Sequence, residues 1–214
     1  MIQTHCFDYI CGSALNEVQT LVCHLPLDPF NTPLTPCAMI YYWIHVLYIF
    51  IGSTFFWKKV NLESDFTRTK RVGILDCESL KYMANSKYFY FMDFIRLEIL
   101  FRSKLYDNTF KKGMFPVIGS QKLIYKKPMK IWSTYTLTLA VEGWDDKWVY
   151  HRQTFKQNGE IYAIGFTKLA FWKNKKAQNM RNIIADSGVP TTEMTPSLEV
   201  LSMFQNDYEI IKGS

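Results

Sequence analysis

Two carboxylates, Asp76 and Glu78, stand just ahead of the polar pair Asn85 and Ser86, and a long apolar segment follows. That order suits attack on an activated acyl group. A carboxylate can add to a carbonyl carbon, or take the proton of a water that does so. Free N–H groups at a helix N-terminus can hold the oxyanion that forms. Glu78 is the first candidate for the carboxylate and Asp76 the second. The amides near Asn85 to Lys87 would supply one face of the oxyanion site, with Ser86 among them, and Tyr82 can donate a hydrogen bond to a carbonyl oxygen. Each residue also has a plainer reading: a solvated loop acid, a helix cap at Asn85, a packed ring at Tyr82. A Ser–His–Asp site has no support, because no G-x-S-x-G pattern is present. His151 stands alone in a strand-like run, and no metal-ligand spacing occurs.

These residues need a scaffold to hold them. From Ser86 to Lys104 apolar residues cover nearly the whole helical circumference, leaving a narrow polar strip of Asp93, Arg96 and Ser103 and a Glu98–Arg102 pair at i,i+4. A helix apolar almost all round is a buried one. Arg68 to Leu75 reads as a short strand before it. Four strand-like runs follow: Phe115 to Tyr125, Lys130 to Val141, Trp148 to Lys156 and Glu160 to Trp172. The second alternates, with Tyr135, Leu137 and Leu139 on one face and Thr134, Thr136 and Thr138 on the other. Glu142 and Gly143 break it, and Gln157, Asn158 and Gly159 form a hairpin turn. Two short helices close the chain, near Ala177 to Asp186 and Ser197 to Glu209. The order predicts an α+β domain: one strand, a long buried helix, then four strands as a meander wrapped around it.

The remainder of the chain is unlike this domain. The 214 residues are 48% apolar and 21% charged, which predicts a packed core. The net charge of +6 is spread without a basic stripe, so a nucleic-acid partner is not expected. Residues 1–37 hold no Lys or Arg but four of the five cysteines, Cys6, Cys11, Cys23 and Cys37, which are either two disulfides or four free thiols. Ala38 to Trp57 carries no Asp, Glu, Lys or Arg, has aromatics near both ends, and is followed at once by Lys58 and Lys59. Its length and flanks predict a transmembrane helix with the C-terminal side in the cytosol; a long buried core helix is the alternative. The expected organisation is a leader (1–37), a membrane helix (38–57), a connector (58–67), the α+β domain (68–174) and a helical tail (175–214).

The loop Asp76-Cys77-Glu78-Ser79-Leu80-Lys81-Tyr82-Met83-Ala84-Asn85-Ser86-Lys87-Tyr88 resembles the D-x-D-x-x-x-H-M-N-N-x-x-Y loop of the hotdog-fold acyl-CoA thioesterases. The block Gly143-Trp144-Asp145-Asp146 resembles the G-W-D-D segment of the thioesterase superfamily member six-like branch, which also has a hydrophobic N-terminal segment. The resemblance covers about Phe66 to Lys173. It implies a hotdog fold, a homodimer, a coenzyme A thioester as substrate with no cofactor, and a membrane-anchored protein of endoplasmic-reticulum type, a soluble cytoplasmic one being the alternative. It also implies a catalytic role for Glu78 at the family's second Asp. Three family positions differ: Glu78 stands for the second Asp, Tyr82 for the His and Ala84 for the first Asn. Lys111, Lys112, Lys126 and Lys127 are the candidates for coenzyme A phosphates, or ordinary loop lysines.

Overall fold

The computed structural model describes residues 36–62, 64–78, 80–188 and 194–207; Cys6, Cys11 and Cys23 of the leader lie outside them. The chain divides into two compact units, Met1–Tyr42 and Trp43–Ser214. Of the first, residues 36–42 are described, as the opening of helix α1 (Pro36–Ile51).

In the second unit, α1 runs on into a π-helical turn, Gly52–Phe56. Strand β1 (Phe66–Arg71) and a 3-10 turn (Ile74–Asp76) lead to helix α2 (Asn85–Arg102). A short helix α3 (Leu105–Asn108) follows, then strands β2 (Phe115–Tyr125), β3 (Thr134–Trp144), β4 (Val149–Gln157) and β5 (Glu160–Lys173). Strand β6 (Lys176–Ala177) and helices α4 (Met180–Asp186) and α5 (Leu198–Met203) complete it.

The sheet is antiparallel, in the order β1-β3-β4-β5-β2, with β6 on β5. Only β3, β4 and β5 form the expected meander. Strand β2 pairs with β5, from Phe115↔Trp172 to Tyr125↔Ala163, at the edge opposite β1. The chain therefore crosses the sheet between β2 and β3. The connection passes beside the start of α2, where Met83 N–H donates to Met129 C=O at 2.9 Å and Ile131 N–H to Lys81 C=O at 2.9 Å. Met129 is fully buried there.

Helix α2 is wrapped as its composition predicts, burying Tyr88, Phe91, Met92, Phe94, Ile95, Ile99 and Leu100 among others. The inner face of β3 is Tyr135, Leu137 and Leu139, all at most 1% exposed. On the outer face the Thr67 and Thr138 hydroxyls meet across strands at 2.8 Å. Glu142 and Gly143 do not end β3; the ladder takes a bulge between Val141 and Gly143 and continues to Trp144. Gly143 has φ +120°, and a Cβ there would lie 2.4 Å from Met194 O, so only glycine fits. The outer face is covered late in the chain, where Val200 and Phe204 pack on Tyr150 and Phe166.

The segment expected as a membrane helix, Ala38 to Trp57, differs from that expectation in two respects. The α-helical part is 16 residues long, and among the described residues no helix is long and apolar enough to cross a membrane. One face of it is also already occupied by protein. His45 stacks on Phe94 with ring centroids 5.0 Å apart, Phe50 meets Phe101 edge-on at 5.4 Å, and Ile49 is buried.

Candidate active site

The loop from Gly73 to Ala84 is tied down at each end. Asp76 is 6% exposed; its Oδ2 accepts from Gly73 N–H at 2.9 Å, and its carbonyl accepts from Ala84 N–H at 2.8 Å. Cys77 pairs with Met83, and Tyr82 with Lys130, as isolated antiparallel bridges. These contacts force the segment between Cys77 and Tyr82 outward. Glu78 lies exposed on it, and Leu80 takes φ +54° to complete the turn.

The cap of α2 is Ala84, whose side chain offers no acceptor; Asn85 is the first helical residue. The expected Asn85 cap is therefore shifted by one residue. Asn85 and Ser86 are both exposed at the mouth of the helix, and Tyr82 is half-buried. Two lysines lie within electrostatic reach of the buried Asp76. Burial lowers the pKa of Lys87, and the Asp76 charge opposes that shift. Lys70 on β1 is lowered by burial too, with Glu98 and then Asp76 opposing. The thiol of Cys77 is raised, by burial and then by Asp76. Behind the loop, burial pushes the Tyr88 hydroxyl up to about 12, against a backbone hydrogen bond at Met129.

Four residues proposed for phosphates are engaged otherwise: Lys126 and Lys127 with Glu160, Lys111 with Asp107, and Lys112 with Asp186. In the G-W-D-D block, Asp145 builds a turn. Its Oδ1 accepts from Lys147 and Trp148 N–H at 2.8 and 2.7 Å, and its Oδ2 from the Tyr150 hydroxyl at 2.8 Å.

Two buried polar networks flank α2. Arg96, 9% exposed, donates through Nη1 to Gln153 Oε1 at 2.8 Å and Thr167 Oγ1 at 2.9 Å, and pairs with Asp93. Gln153 Nε2 in turn donates to Met92 C=O at 2.7 Å. His151 lies on the same face of β4, its Nδ1 sealed from solvent, and its pKa is pulled down to about 3 by burial and the Arg96 charge. On the other flank Glu98 accepts from Arg68 Nε at 2.9 Å and from Arg102 Nη1 at 2.6 Å. The Glu98–Arg102 pair follows from its spacing; the partners on the strands do not. The available signal was the polar pair His151 and Gln153 at alternate positions of a strand whose other inward residues, Val149 and Phe155, are apolar.

A family model described as the thioesterase-like superfamily matches residues 72–198. The chain belongs to this superfamily. Protein THEM6 of Xenopus laevis is 30% identical over 80 residues, a match covering 37% of this chain and 39% of that protein. Among solved structures, the YbaW probable thioesterase of Escherichia coli superposes with TM-score 0.52 at 16% identity, covering 56% of this chain and 97% of its own. The protein SAV2348 of Staphylococcus aureus, solved in complex with CoA, does so with TM-score 0.51 at 12% identity, covering 66% and 92%. The BH1999 gentisyl-coenzyme A thioesterase gives 0.50 at 16%, covering 56% and 99%. These likenesses carry the fold: a hotdog, with an antiparallel sheet around α2.

Proposed function

We propose that this chain hydrolyses acyl-CoA thioesters of fatty or aryl acids, with Glu78 as the catalytic carboxylate. The observation that carries the reading is the division of labour between the two acids. Asp76 is buried and spent on the loop, while Glu78 is exposed beside the amino end of α2. Membership of the superfamily supports it, as do fold neighbours that are a coenzyme A thioesterase and a CoA complex. In the reaction a water adds to the thioester carbon and Glu78 takes its proton. The oxyanion is held by amides at the start of α2, with Asn85, Ser86 and Tyr82 lining the acyl end. Collapse breaks the C–S bond, and coenzyme A leaves as the thiolate and is protonated. No cofactor is needed. The test is thiol release from a panel of acyl-CoA chains by the full-length protein.

A second reading, a silent hotdog module that binds acyl chains or partner proteins, is favoured by Tyr82 and Ala84 standing where the family loop has His and Asn. It becomes the better one if no chain in the panel releases thiol.

The working unit in this proposal is a homodimer. Among the described residues strand β2 is an open edge, carrying exposed Phe115, Val117, Ile118, Ile124 and Tyr125, and a second copy would cover it.

Attachment to a membrane surface, with the hotdog domain in the cytosol, is also proposed. The face of α1 turned away from α2 exposes Trp43, Ile44, Leu47 and Ile51, with Phe55 beyond and Lys58 and Lys59 exposed after it. An apolar, aromatic strip bordered by cations suits an anionic interface without crossing it. Flotation with anionic vesicles tests this; a protein that stays at the bottom of the gradient is the soluble cytoplasmic alternative.

A further inference from the structure

A cavity of about 220 Å³ lies between α1, β1 and α2. One wall is apolar, made by Ile49, Phe94, Ile95 and Leu137, each at most 5% exposed. The other is charged, made by Arg68, Lys70 and Glu98. Tyr48 and Trp57 meet edge-on at its border, with ring centroids 5.4 Å apart.

The charged wall is unbalanced. Arg68 and Lys70 occupy alternate positions of β1, on the same side as buried Phe66. Glu98 is shared between Arg68 and Arg102. Among the described residues Lys70 is within ion-pair distance of no carboxylate; the charges acting on it at longer range are Glu98, Asp76 and Arg68. Its ammonium lies 5.3 Å from the centre of the Phe91 ring. A half-buried cation beside an apolar wall is partly desolvated, and an anion carrying an apolar body would offset that cost.

We propose that this cavity binds a medium-chain amphipathic carboxylate, with its head on Lys70 and its chain along Ile49, Phe94, Ile95 and Leu137. The volume holds about seven water-sized groups, which suits a chain of roughly six to eight carbons ending at the Tyr48–Trp57 border. Arg68 adds attraction at longer range. None of the lining residues belongs to the Glu78 loop, and the inference stands whether or not the chain hydrolyses thioesters.

The experiment is titration of the full-length protein with octanoate, with octanol as the uncharged arm, by calorimetry and by NMR of octanoate carrying carbon-13 at C1. Octanoate should bind in the submillimolar range, with the C1 resonance shifting on binding. Lys70→Met, which keeps length and removes charge, should weaken octanoate about tenfold or more and leave octanol unchanged. Ile49→Trp should fill the cavity and remove both. Circular dichroism and urea midpoints establish that each variant is folded, and Lys70→Met should be at least as stable as the parent, because it relieves a buried charge. Absence of octanoate binding at millimolar concentration overturns the proposal. So does a Lys70→Met protein that binds octanoate as the parent does, or a folded Ile49→Trp protein that still binds it.

Discussion

The Ala84 amide donates to the carbonyl of Asp76 at 2.8 Å, which locks the acidic loop onto the first turn of α2. One bond thus sets the position of the loop and the place where the helix begins. It also separates the two acids, holding Asp76 inside and leaving Glu78 free at the tip.

If Glu78 is the base, Glu78→Gln should lower thioester turnover by about a hundredfold or more while leaving the urea midpoint near that of the parent. Glu78→Asp should retain activity. Asp76→Asn should lose less in turnover but should destabilise the loop, measured as faster hydrogen exchange at Ala84. Equal thiol release by Glu78→Gln and the parent removes Glu78 from the site.

His151 gives a pH dependence of stability. Its ordinary value is 6.5, and in the fold it is pulled down to about 3. Between these values the unfolded chain binds a proton that the folded one refuses, so stability falls as pH drops below 6.5. The slope should approach about 1.4 kcal/mol per pH unit. Asp93, whose pKa is raised by burial against the Arg96 charge, contributes the opposite slope. Comparing urea unfolding of the parent with His151→Leu at pH 6 and pH 5 cancels that contribution. The variant should lose less stability over the interval.

Much of this domain could be read from residue order. The hydrophobic circumference of α2, the bounds of β2 and the turn at Asn158–Gly159 rest on local patterns, and local patterns survive folding. The β2–β5 pairing did not show, because edge choice depends on which strand is left unpaired at a distance. Strand β3 runs through Glu142 and Gly143 because a bulge absorbs the glycine. At the candidate site, the position of the two acids just ahead of α2 follows from residue order, but their unequal burial does not. That difference comes from backbone bonds to Gly73 and Ala84, which no side-chain pattern records.

Glu98 is buried between two guanidinium groups, so Glu98→Ala leaves Arg68 and Arg102 facing each other. The expected cost is about 3 kcal/mol in denaturant unfolding. A further Arg68→Met change in that background should recover part of it.

Two glycines should respond differently to alanine. At Gly143 the new Cβ meets the backbone at Met194 O and the φ is left-handed, which predicts a loss of more than about 1–3 kcal/mol. At Gly165 the obstacle is the end of the Met92 side chain, which can rotate away, and the φ is ordinary. Thermal melts of the two variants should rank Gly143→Ala well below Gly165→Ala.

If β2 is the dimer edge, Ile118→Lys should turn a dimer into a monomer in sedimentation of the full-length chain at micromolar concentration. A parent that sediments as a monomer there counts against the dimer.

The pairing of β2 with β5 also sets a timetable for synthesis. Phe115, Val117 and Ile118 leave the ribosome well before Leu169 to Trp172, the stretch they must pair with. At about 5–20 residues per second the gap lasts several seconds. Through that interval an apolar strand has no neighbour on either side, since β3 and β4 join β1 instead. The nascent chain is therefore most exposed to chaperones, and most open to mispairing with another nascent copy, after β2 has emerged and before the end of β5 has.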